Sequence, residues 1–119
     1  MKIMIVDDSQ AMRTMIRSVV ANPNDIVSEC ADGSEVVEIF QETFPDVVLM
    51  DLQMTAMNGI AATRNLKKQF PEARVIIVSN FNDQEFRDEA KEAGAISYFT
   101  KDNLIQLKQF IHQLLWGEV

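Results

Sequence analysis

Pro45-Asp46-Val47-Val48-Leu49-Met50-Asp51 is the stretch whose reading decides the fold. Four consecutive apolar residues with no alternation predict a central parallel strand covered on both faces. Asp51 then stands at that strand's carboxyl end, facing the crevice where open α/β sheets keep their chemistry. A carboxylate there can equally serve to cap the segment that follows. What the other strands deliver to the same edge has to decide between the two.

Upstream, Lys2 to Val6 forms another apolar run, and it too ends in acid, Asp7-Asp8, followed by Ser9. Met12, Met15, Ile16, Val19 and Val20 then recur at helical spacing, predicting a helix from near Ser9 to Asn22-Pro23-Asn24. Ile26 to Cys30 reads as a second strand, and Ala31-Asp32-Gly33-Ser34 as the turn into a helix carrying Val36, Val37, Ile39 and Phe40. Glu35, Glu38 and Glu42 mark the solvated side of that helix. Downstream of Asp51, a loop through Gly59 leads to a weaker helical pattern at Ile60, Leu66 and Phe70, closed by Pro71. Arg74 to Val78 is the fourth strand, ending in Ser79-Asn80. Asn82 or Asp83 opens a helix that buries Phe86, Ala90 and Ala93 and stops at Gly94. A short fifth strand, Ile96 to Phe99, ends at Thr100-Lys101-Asp102, and a last helix turns Leu104, Leu107, Ile111, Leu114 and Leu115 inward. Five β-α units at this spacing predict an α/β fold, a doubly wound five-stranded parallel sheet with five helices on both faces.

The 119 residues, 47% of them hydrophobic, suit a single domain over positions 1–119. A net charge of -7 withholds the positive field that nucleic-acid binding needs, so no direct nucleic-acid contact is expected. Cys30 has no second cysteine to pair with and reads as a small buried hydrophobe, which fits a reducing cytoplasm. No apolar run approaches ~20 residues and the amino terminus lacks a signal-peptide pattern, so no membrane attachment and a cytoplasmic location are expected. Glycine-rich phosphate loops, dinucleotide fingerprints, paired cysteines and long repeats are absent from the sequence.

The strand ends together supply Asp7 and Asp8, Asp51, Ser79 and Lys101. Three carboxylates brought close together would force a proton onto one of them unless a divalent cation sits among them. Few ligands, all oxygen, with room for water, suit Mg²⁺. A mobile ammonium and a hydroxyl are what phosphoryl oxygens need. Such a set is built for phosphoryl transfer onto an aspartate.

Carrying Asp7-Asp8, Asp51, Ser79, Tyr98 and Lys101 at these positions, the sequence resembles the response-regulator receiver domains of two-component signalling over essentially its whole length. The resemblance implies a flavodoxin-like sheet of strand order 2-1-3-4-5. It implies a signalling phosphoacceptor that assists its own phosphorylation and dephosphorylation, not an enzyme with free substrates. A sensor histidine kinase would donate its phosphoryl group to Asp51. Asp8, Asp51 and the backbone carbonyl of Gln53 would bind Mg²⁺ directly, with Asp7 reaching the metal through water. Lys101 would pair with a phosphoryl oxygen. Ser79 would swing toward the phosphoryl group and let Tyr98 turn inward, reshaping the face of the fourth helix, fifth strand and fifth helix for a downstream effector protein or a phosphorylation-dependent homodimer.

Departures from the family pattern also carry information. Asp102 follows Lys101 where many receivers have proline, and Thr55 takes a loop position where proline is common; Lys-Asp looks more like receivers that precede a helix-turn-helix output domain. The alternative is therefore a receiver domain cut from a longer DNA-binding regulator. Gln53 and Phe81 flank the phosphate in relatives, and Phe81 is expected to shield it from water. Gln53 stands where a phosphatase of the haloacid dehalogenase type would place its second aspartate, which argues against turnover of free substrates. The two acids after the first strand stand where a flavin carrier would place its phosphate loop. A phosphorylation-independent binding module would have no use for the carboxylates. His112, on the last helix, is read as a surface or packing residue, the methionines mainly as core filling, and Ile105, Phe110 and Trp116 as an exposed patch.

Overall fold

A computed structural model describes residues 1–117. Its strands are β1 (Lys2–Val6), β2 (Ile26–Cys30), β3 (Val47–Met50), β4 (Val75–Ser79) and β5 (Ser97–Thr100), all parallel, in the order β2-β1-β3-β4-β5. The helices are α1 (Gln10–Val20), α2 (Val36–Thr43, entered through a 3₁₀ turn at Gly33–Glu35), α3 (Gly59–Gln69), α4 (Gln84–Ala93) and α5 (Leu104–Trp116). This is the expected flavodoxin-like arrangement.

Alternate residues of the three inner strands face opposite layers, because successive side chains of a strand point to opposite faces. Met4, Val6, Val48, Met50, Val75 and Ile77 join one buried cluster with Val36, Phe40, Leu66 and Ala90 of α2, α3 and α4. Ile3, Ile5, Val47, Leu49, Ile76 and Val78 join the other with Ile16 and Val20 of α1 and Leu104, Leu107 and Ile111 of α5. Both faces are therefore covered, and the unbroken apolar run of β3 follows directly from its central place.

Boundaries moved by one residue at β4 and β5, so Ser79 is the last residue of its strand and not the first of a loop. Ser9 is the N-cap of α1, its hydroxyl accepting from Met12 N–H at 3.2 Å. Gly94 ends α4 at φ 107, a left-handed conformation open to glycine. Phe44 ends α2 at φ 45, an unusual place for an aromatic; its ring packs edge-on to Phe40 and Phe70.

Met15 does not face inward: α1 turns it out to 52% exposure, while Ile16 and Val20 are buried and Met12 and Val19 pack half-buried against the core. Phe86, Leu114 and Leu115 are half-buried. Phe110 leaves the expected exposed patch and packs on Phe99, ring centres 5.5 Å apart, while Ile105 and Trp116 do lie exposed. Cys30 is free and buried, and His112 is on the surface. Among the described residues no helix is long and apolar enough to cross a membrane.

Candidate functional site

Backbone hydrogen bonds continue past the strand ends and pin the site residues. Asp7 N–H donates to Cys30 O (3.0 Å), Asp51 N–H to Val6 O (2.8 Å) and Lys101 N–H to Ser79 O (2.8 Å). The acidic loops thus begin from one rigid edge. Asp7 is further oriented by Ser9 N–H, which donates to its Oδ1 at 2.9 Å.

The side chains from β1, β3 and β5 converge there. Lys101 Nζ lies 2.9 Å from Asp7 Oδ2 and 3.0 Å from Asp51 Oδ1, with little of any of the three exposed. Asp7, Asp8 and Asp51 each offer a carboxylate oxygen, all within 4.8 Å of one another. Asp7 and Asp51 are buried and Asp8 exposed, so the cluster opens to solvent on the Asp8 side.

One ammonium does not neutralise this group. Burial pushes the Asp51 carboxyl up to about 6; the charge of Asp7 pushes the same way, and Lys101 only partly opposes them. Burial alone would lower the Lys101 ammonium, yet its contacts with Asp7 and Asp51 outweigh that and raise it. Buried Asp7 Oδ2 meets the Lys101 ammonium at 2.9 Å and no other donor, which leaves lone-pair capacity on that oxygen for a cation. Surplus buried negative charge, unused oxygen lone pairs and donors that are all oxygen fit a small hard divalent cation such as Mg²⁺.

Ser79 closes β4, its backbone carbonyl taking the Lys101 N–H, and Tyr98 lies on the neighbouring β5. The buried Ser79 hydroxyl accepts from Phe81 N–H at 3.0 Å. Tyr98 is already inward, 9% exposed, its hydroxyl donating to Phe81 O at 2.7 Å. Gln53 is exposed in the loop after β3. Phe81 leans on Phe86, ring centres 5.6 Å apart. A cleft of about 300 Å³ is lined by Asn80, Asn82, Thr100, Lys101 and Asp102.

Several contacts escape the sequence reading, although it places Thr55 and Gly59 in the loop after the third strand. Arg13 reaches back from α1 to donate to Asp7 O at 2.6 Å while its Nε holds Glu29 at 2.8 Å. Thr55 Oγ1 lies 3.4 Å from Asp8 Oδ2. Gly59 packs so tightly that a Cβ would meet Asp51 O at 1.9 Å. Its N–H donates to Leu52 O at 2.7 Å, closing the loop after β3. Arg87 covers the Tyr98 ring, its Cζ 4.7 Å from the ring centre. Nothing in a linear sequence marks these contacts, apart from Asn58-Gly59, whose asparagine is the N-cap of α3.

The family model for the response regulator receiver domain matches residues 3–112. The uncharacterized transcriptional regulatory protein YhcZ of Bacillus subtilis is 42% identical over 104 residues, which cover 86% of this chain and 49% of that protein. The chemotaxis protein CheY of Bacillus subtilis is 38% identical over 101 residues, covering 84% of each. A crystal structure of a LuxR-family two-component response regulator from Aurantimonas superposes with a TM-score of 0.89 at 36% identity, covering 98% of this chain and 86% of that one. The chain thus spans about half the length of the transcriptional regulator and most of the chemotaxis protein. With family model, relatives and superposed fold in agreement, the chain belongs to the response regulator receiver domains of two-component systems.

Proposed function

We propose that Asp51 is the phosphoacceptor of this receiver, taking its phosphoryl group from the phosphohistidine of a sensor histidine kinase. An Asp51 carboxylate oxygen forms the new P–O bond as the P–N bond breaks, and the electron pair returns to the imidazole nitrogen, which takes up a proton. Lys101 follows a phosphoryl oxygen with its ammonium, and the Ser79 hydroxyl turns from Phe81 N–H to donate to another. Asp7, Asp8, Asp51 and the Gln53 carbonyl would hold Mg²⁺, which supplies charge neutralisation for the nucleophile and the incoming oxygens. The observation that carries this reading is the bridge of one ammonium between two carboxylates, with a third within reach.

Incubation with acetyl phosphate and Mg²⁺, followed by intact-mass measurement, tests it. One phosphate adduct is expected in wild type, and none in Asp51→Asn or with excess chelator. An adduct that persists in Asp51→Asn would remove Asp51 from the role.

Two forms of output fit. A single domain over positions 1–119 would signal by docking an effector protein, or a second copy, through the face of α4, β5 and α5. The match to a regulator of about twice the length favours a second reading, in which this is the receiver of a longer DNA-binding protein. Lys101-Asp102 agrees with that second reading.

A further inference from the structure

The Tyr98 ring is held on two sides. Its hydroxyl bonds to Phe81 O, and its face is covered by the Arg87 guanidinium from α4. Arg87 Nη1 also approaches Tyr98 O at 3.5 Å. The guanidinium is itself braced: Nε and Nη2 both donate to Asn82 Oδ1, at 2.9 and 2.6 Å. On a helix carrying Glu85, Asp88, Glu89 and Glu92, Arg87 forms no ion pair among the described residues. A surface arginine that merely covers apolar area would leave its head free in water. Here the head is fixed over an aromatic face by a fork to one amide oxygen, which lowers the entropy lost in keeping it there.

The brace is tied to the acidic edge through the segment from Ser79 to Asn82. Ser79 Oγ takes the N–H of Phe81, Phe81 O takes the Tyr98 hydroxyl, and Asn82, the next residue, fixes Arg87. Ser79 Oγ is thus the first link of a chain that runs through Phe81 to the Tyr98 hydroxyl and through Asn82 to the guanidinium over the ring face.

We infer that Arg87, braced by Asn82, is a positioning residue that clamps Tyr98 in its buried rotamer and sets how strongly the Asp51 edge is coupled to the α4–β5 face. Its coupling half rests on the phosphoacceptor reading above; its clamp half does not.

The sequence holds one tyrosine, so protein with ring-labelled tyrosine gives one set of ring signals by NMR, measured without phosphodonor or Mg²⁺. In Arg87→Ala and in Asn82→Ala the signals are expected to move toward those of an exposed tyrosine, the inward-to-outward ratio falling roughly five- to thirtyfold. Arg87→Lys, which keeps the charge and loses the fork, recovers part of the shift. The rate of Asp51 modification by acetyl phosphate with Mg²⁺ changes in both alanine variants, which a purely structural role would leave at the wild-type value. Ring signals unmoved in both variants would overturn the clamp, and Asn82→Ala carries that measurement if Arg87→Ala does not fold. A moved ring with an unchanged modification rate would overturn the coupling. Failure of wild type to take phosphate would overturn the phosphoacceptor reading and leave the ring measurement standing.

Discussion

Asp51 is a destabilising residue in the metal-free fold, because a buried carboxylate next to Asp7 binds its proton more tightly than it does in the unfolded chain. Its carboxyl rises from 3.8 to about 6, so between these pH values the folded chain holds a proton that the unfolded chain has released. Stability from this group is full below the lower value and is lost as pH rises through the upper one. The whole effect is on the order of 3 kcal/mol. In chelator, Asp51→Asn is therefore expected to be more stable than wild type at pH 7.5, with the gap closing toward pH 4. Urea midpoints at several pH values check this, and a gap independent of pH would show that burial of the charge is not the cause. The same surplus charge makes the residue a good partner for a cation.

At the scale of elements, the site depends on how closely α3 approaches the end of β3. Gly59 opens α3 with its backbone against Asp51 O, where a Cβ would sit at 1.9 Å from backbone oxygen. Gly59→Ala must push the helix away or twist the Asp51 peptide, at roughly 1–3 kcal/mol by analogy with overpacking in cores. Thermal unfolding and acetyl phosphate labelling are expected to fall together in this variant. Unchanged stability with normal labelling would mean that the loop from Leu52 to Asn58 absorbs the methyl group without moving Asp51.

At the scale of the molecule, a cation bound by carboxylates from β1 and β3 ties two strands together and favours the folded state by mass action. Mg²⁺ at about 100 times its Kd is worth ~2.7 kcal/mol, a Tm rise of roughly ten degrees for a domain of this size. Calorimetry with and without Mg²⁺ checks this in wild type, and Asp8→Ala is expected to respond far less. A wild-type Tm that ignores Mg²⁺ would separate the acidic cluster from metal binding.

The amino-acid sequence by itself determined the five β-α units and the two-sided sheet, because an apolar run without alternation, as in Val47-Val48-Leu49-Met50, is stable only when covered on both faces. It also determined that Asp7, Asp8, Asp51 and Lys101 would arrive at one edge, since all parallel strands present their carboxyl ends on the same side. Only the tertiary structure decided what depends on distances between separate segments. It placed Lys101 on both Asp7 and Asp51, set Gly59 against Asp51 O, turned Met15 outward and drew Phe110 onto Phe99. Periodicity records which face of an element is apolar, but the depth at which a neighbour covers that face is set by helix packing, and a contact such as Arg87 on Tyr98 has no period at all.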